Sequence, residues 1–236
     1  MNNANWGNPD YKESPDSPLT EMGMEQACYV SDYLKRSQPL VKPMAWNNQN
    51  RYGFGLTHIY TSLMERAVNT AAPTARALGL PFAAWEEIHE SGGIFGREGD
   101  IRYKGLPGKS RSYFEQNFPE LLIPEHINGT GWWNSRPQET EEQCQLRAQK
   151  FLADLLALHG DKDGQPEHRV VIFSHGGFFT HLMFAIHNAP WRKAAHGLTS
   201  WFSMNNCAIS RIDFRAGEVS IVYVNRTDHL PDHLIT

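Results

Sequence analysis

The chain has 236 residues, 40% hydrophobic and 20% charged, with 22 Lys plus Arg against 26 Asp plus Glu and a formal net charge of -4. This balance suits a single globular domain with a sizeable core, and it offers no basic excess for nucleic acid. No apolar run approaches the roughly 20 residues that span a bilayer, and MNNANWGNPD has neither the basic start nor the apolar stretch of a secretory signal, so a cytoplasmic protein without a membrane partner is expected.

The opening to about Pro18 is polar and punctuated by Pro9, Pro15 and Pro18, which is loop chemistry. Thr20 then offers an N-cap, and Met24, Ala27, Val30, Tyr33 and Leu34 recur at helical spacing, predicting a helix to about Ser37. THIYTS (57–62) reads as a strand and MERAVNTAAPTARALG as the helix behind it, closed at Gly79, with Pro73 expected near the first turns. PFAAW is a short strand-like segment. From Ser91 to Pro137 the periodicity is lost, and only Ser110 to Phe118 reads as helix, the pattern of a lid or binding loop. Thr140 opens a capping box, with Cys144, Ala148, Phe151, Leu152, Leu155 and Leu156 on one helical face up to Gly160. RVVIFS is a continuous apolar strand followed by the helix GGFFTHLMFAIH, and AISRIDF and VSIVYVN form a closing hairpin.

The alternation of strand and helix predicts an α/β class, a three-layer α/β/α sandwich with a mostly parallel sheet, whose ligand sits at the carboxyl ends of the strands. Two segments meet that condition, Ser62 to Arg66 and Ser174 to Gly177. Arg66 at a helix start is suited to an anion, and His175 follows a buried strand with Gly176 and Gly177 allowing close backbone approach. Glu87 and Glu90, in WEEIHESGG, are candidate general acids. His175, His181 and His187 are six apart and share no helical face, so no metal is expected from them. Cys28, Cys144 and Cys207 are too scattered for a disulfide framework or a metal knuckle and read as buried or half-buried thiols. Serine-hydrolase elbow, P-loop and dinucleotide fingerprints are all missing, and no cofactor is expected. The surroundings of Glu139 and Arg147 read simply as helix capping and a solvated face.

DSPLTEMGMEQA, IYTSLMERAVNTAAPTARALGLP, IHESGG and VVIFSHGG, in that order, resemble the histidine phosphatase superfamily, the phosphoglycerate mutase-like enzymes. The resemblance covers most of the chain and leaves residues 96–137 as a substrate-capping insertion of the single domain 1–236, with Arg97, Arg102, Tyr103, Lys104, Lys109, Arg111, Trp132 and Trp133 roofing the site. It implies that Arg66 and His175 bind the phosphoryl group and that Glu90, rather than Glu87, gives a proton to the leaving oxygen. It also implies metal-independent hydrolysis of a phosphorylated small molecule through a phosphohistidine, with a mutase less favoured.

The chain departs from that family at its start. An Arg-His-Gly triplet at the end of a first strand supplies the family's nucleophile, and residues 1–236 contain neither triplet nor strand. NNAN resembles the stretch that follows the triplet, which makes Asn3 a phosphate-binding candidate and places the missing histidine a short way upstream of Met1. The expectation is a truncated phosphatase that is inactive as given, with a gap beside the neighbouring strands. A pseudophosphatase that binds phosphate or serves as an interaction module is the alternative.

Overall fold

The computed structural model describes residues 14–37, 49–98, 102–127, 129–189 and 200–236. Asn3 and the side chains of Arg97, Arg102 and Tyr103 lie outside the described residues.

Local signals set most of the helix ends. α1 (Glu21–Leu34) begins where Thr20 Oγ1 accepts the Gly23 N–H at 3.0 Å, and it buries Ala27, Val30, Tyr33 and Leu34, while Met24 is exposed. β1 (His58–Thr61) turns directly into α2 (Glu65–Leu78), which Gly79 closes at φ 62°. Pro73 lies about two turns inside α2, not near its start, because the helix already begins at Glu65. Helical packing of Ala67, Val68, Ala71, Ala72 and Ala75 into the core outweighs the one backbone bond that the proline removes.

β2 (Phe82–Ala84) and a 3₁₀ turn at Glu86–Ile88 follow, then the antiparallel pair β3 (Phe95–Glu98) and β4 (Arg102–Gly105). α3 (Arg111–Asn117) leads to β5 (Leu121–Leu122). α4 (Glu141–His159) carries both halves of the Thr140–Gln143 capping box. β6 (Val170–Phe173), α5 (Gly176–Ile186) and the hairpin β7 (Ile209–Arg215) and β8 (Glu218–Arg226) complete the order.

The central sheet runs β5-β2-β1-β6, parallel throughout, with His58 opposite Val170 and Thr61 opposite Phe173. Strand alternation divides its side chains between two cores. Ile59, Phe82, Val171 and Phe173 pack with α1 and α2, whereas Tyr60, Val170 and Ile172 pack with Phe151 of α4 and Phe178 of α5. That division produces the α/β/α layering. The segment 96–137 contributes β5 to the sheet itself, and Trp132 and Trp133 are core residues, each 3% exposed.

Among the described residues β6 pairs with β1 alone and β7 with β8 alone. The other edges of β6 and β7 line one cleft of about 2270 Å³, walled by Val30 and Leu34 of α1 and by Leu182 and Ile186 of α5. Val170, Val171 and Ile172 are therefore only half-buried, although so apolar a strand reads as fully enclosed. No helix among the described residues is long and apolar enough to cross a membrane.

Candidate functional site

The turns after β1 and β6 meet at the carboxyl edge of the sheet, and Arg66, Glu90 and His175 all line the cleft there. Ser62 is the pivot of the first turn. Its buried Oγ accepts the Met64 N–H at 3.1 Å and lies 2.9 Å from His175 Nε2. Met64 gives α2 no side-chain cap, and Asp16 supplies one from another part of the chain by accepting the Glu65 N–H on Oδ1 at 2.9 Å. Arg66, the next residue, is half-buried; burial works against its charge, and the carboxylates of Glu90 and Asp16 support it.

His175 is the N-cap residue of α5 and is 8% exposed. Burial, reinforced by Arg66, His89 and Arg147, holds its pKa well below the ordinary histidine value, so the ring is neutral at neutral pH. Glu90 Oε1 accepts two backbone N–H groups, from Ser91 at 2.9 Å and from Phe178 in the first turn of α5 at 3.1 Å. This seat requires Gly177, because a Cβ there would overlap Glu90 Oε1. The two glycines thus do different things: Gly177 makes room for the carboxylate, and Gly176 lines the cleft, where among the described residues a Cβ would meet only Met204. Glu87 is placed apart, its carboxylate 3.2 Å from Lys150 Nζ on the exposed side of α4.

Three features escaped the sequence reading. Asp16 buries Oδ2 with no hydrogen-bond partner among the described residues, and desolvation pushes its pKa up to about 6 against the pull of the Glu65 N–H and Arg66. Its only signal was its position at the start of DSPLTEMG. His89 is 3% exposed; its Nδ1–H donates to the Glu90 carbonyl at 2.8 Å, and its ring packs edge-on against Trp133 with centroids 4.8 Å apart. Burial, then Arg147, keeps His89 neutral as well.

The third feature corrects the reading of Arg147 as part of a solvated helix face. Its side chain is 9% exposed, grips the Glu139 carboxylate with Nε and Nη2 at 2.7 and 2.6 Å, and donates to the carbonyls of Glu87 and His89. One guanidinium therefore fixes the backbone that presents Glu90. The helical pattern of α4 could not show that its partners come from residues 87–89.

The expected roof is also revised. Trp132 and Trp133 stand behind His89 in the core; Arg111 donates to the carbonyls of Ile123, Pro124 and Ile127; and Lys109 pairs with Glu65 at 3.0 Å. These groups tie the segment to itself and to α2. His181 is fully buried between Gln145 and Glu141 of α4, so His175 and His181 do not converge. Cys28 is exposed, not buried, while Cys144 is buried and Cys207 half-buried.

A guanidinium, a neutral imidazole with a fixed ring and the starts of two helices at one cleft edge suit a tetrahedral oxyanion, and the nearby carboxylate can carry a proton. Among curated proteins none matches the chain significantly. Solved structures share its fold. A mutant phosphoserine phosphatase from Entamoeba histolytica in complex with phosphoserine aligns with TM-score 0.53 and 20% identity, covering 92% of this chain and 88% of that one. The α-ribazole phosphatase from Shigella flexneri gives 0.52 and 18%, covering 92% and 90%. A mycobacterial glucosyl-3-phosphoglycerate phosphatase complexed with VO3 gives 0.52 and 17%, covering 90% and 88%. The sequence profile of the histidine phosphatase superfamily (branch 1) matches residues 49–227, and the chain belongs to that family.

Proposed function

We propose that the protein is a metal-independent phosphomonoesterase that works through a phosphohistidine and acts on a phosphorylated small molecule. The observation that carries this reading is the meeting of Arg66, Glu90 and His175 at one carboxyl edge of a parallel sheet, in a chain of the histidine phosphatase superfamily. The structural neighbours, phosphatases of phosphoserine, α-ribazole and glucosyl-3-phosphoglycerate, support the substrate class.

Each group then has a physical role. Arg66 and the first turns of α2 and α5 hold the phosphoryl oxygens, supplying charge where the transition state develops it. The Ser62 hydroxyl donates to His175 Nε2, which leaves the His175 proton on Nδ1 for a phosphoryl oxygen. With Oε1 of Glu90 tied to two N–H groups, Oε2 delivers the proton to the departing alkoxide.

The nucleophile is an imidazole on an extended segment outside these 236 residues, seated in the cleft between β6 and β7. Its ring nitrogen bonds to phosphorus as the ester oxygen leaves, and water then takes the phosphoryl group from nitrogen. Hydrolysis of para-nitrophenyl phosphate in EDTA, measured on this chain and on a form extended by the upstream coding sequence, tests the proposal. Activity is expected only in the extended form and is abolished by His175→Ala or Arg66→Ala. Activity in the 236-residue form would overturn the nucleophile assignment, and phosphate binding without turnover in both forms would make the protein a phosphate-binding module instead.

A further inference from the structure

A histidine cluster lies at the end of the sheet opposite the candidate site. His58 begins β1, His159 ends α4, and His168 stands just before β6, whose Val170 is the register partner of His58. Their ring centroids are 4.6, 4.6 and 5.2 Å apart, and one ring nitrogen from each lies within 4.8 Å of the others. The Nδ1 atoms of His159 and His168 are 3.0 Å apart. Ligand nitrogens around tetrahedral zinc, at roughly 2.0–2.1 Å from the ion, stand about 3.3 Å apart, so small ring rotations complete a three-imidazole set.

We infer that His58, His159 and His168 form a binding site for a first-row transition-metal dication of the zinc class, which fastens the α4–β6 connection to the start of β1. The outer hydrogen bonds are those that metal-bound imidazoles require. Thr57 Oγ1 accepts the Arg169 N–H at 2.9 Å and donates to the Arg169 carbonyl at 3.2 Å. With that proton committed, His58 Nδ1–H donates to Thr57 Oγ1 at 2.8 Å, and Nε2 keeps its lone pair for the metal. Tyr60 Oη lies 2.9 Å from His159 Nε2, so a proton on Nε2 is satisfied there and Nδ1 is the ligand atom.

The protonation state fits as well. Burial and then His168 lower the His58 pKa, and burial, the other two histidines and Lys162 lower that of His159 to about 4. Neutral imidazoles are the form that binds metal. Imidazole is a good ligand for zinc, copper and nickel and a poor one for magnesium, which sets the chemical class. Three nitrogens leave one position of a tetrahedral shell, or two of a five-coordinate one, and water completes it.

The test is calorimetric titration of EDTA-treated, dialysed 236-residue protein with zinc chloride, with magnesium chloride as the contrast. One equivalent of zinc is expected to bind and to raise the melting temperature, and magnesium to do neither. His168 is exposed, so His168→Ala should leave the metal-free melting temperature unchanged while weakening zinc binding by more than the roughly 10–100-fold that loss of an outer partner costs. Tyr60→Phe should fall within that 10–100-fold range. No saturable zinc binding would overturn the inference. So would an affinity unchanged in both His168→Ala and the His58→Ala/His159→Ala double variant, because the zinc would then be held by other histidines.

Discussion

Glu90 and Phe178, 88 positions apart in sequence, are joined by a hydrogen bond of 3.1 Å from the Phe178 N–H to Glu90 Oε1. A carboxylate at this place satisfies an otherwise free donor in the first turn of α5 and opposes the positive end of that helix. The same bond aims the remaining carboxylate oxygen.

Glu90→Ala should therefore lower stability in urea unfolding by about 0.5–2 kcal/mol, the cost of losing a helix cap. Glu90→Gln keeps an acceptor oxygen for both N–H groups and should cost less. In the extended, active form both variants should lose about 10²–10⁴-fold in hydrolysis of an alkyl phosphate, because neither delivers a proton as a carboxyl does. A Gln variant with full turnover would remove Glu90 from proton delivery while leaving its capping role intact. Gly177→Ala should behave like Glu90→Ala, since the new Cβ takes the place of Oε1.

Arg147→Ala leaves Glu139, whose side chain is 11% exposed, without its partner and frees the carbonyls of Glu87 and His89. Breaking a buried pair from one side costs about 3–5 kcal/mol, and denaturant unfolding should show a loss of that size. Arg147→Lys keeps the charge but not the two-pronged grip, and an intermediate loss is expected.

Asp16 makes stability depend on pH in the direction opposite to an ordinary paired carboxylate. Its folded pKa is raised from 3.8 to about 6, so between those values the folded state holds more protons than the unfolded state. Stability should fall as pH rises through that window, by up to about 3 kcal/mol from this group. Urea unfolding of wild type and Asp16→Asn at intervals from pH 4 to 7 isolates the effect. The difference between them should shift with pH in favour of the variant, and a constant difference would show that Asp16 is ionised throughout.

Ala216 occupies the left-handed region at φ 51°, followed by Gly217 at 79°, in the two-residue turn between β7 and β8. Such a turn favours Asn-Gly, and alanine there is strained. Ala216→Asn should stabilise the protein by about 0.5–1 kcal/mol, read as a higher melting temperature. An unchanged or lower value would mean that the backbone relaxes out of this conformation in solution.

Much of the architecture was legible because it depends on neighbours within a few residues. Thr20 and Thr140 cap their own helices, Gly79 ends α2, and the β-prone run, the continuous apolar run and the helical segments place β1, β6, α4 and α5 within a few residues of where they stand. The strand-turn-helix order also located Arg66 and His175 at strand ends, since parallel connection leaves such turns on one edge. Tertiary structure alone decided the rest. Asp16 caps a helix that begins 49 residues later, Arg147 reaches carbonyls about 60 residues away, and Leu121 and Leu122 join the sheet as a two-residue strand too short to show a period. No local pattern encodes these contacts, because burial and long-range geometry select them. The histidines at 58, 159 and 168 gather for the same reason: parallel pairing of β1 with β6 and the end of α4 bring together rings that sequence spacing leaves unrelated.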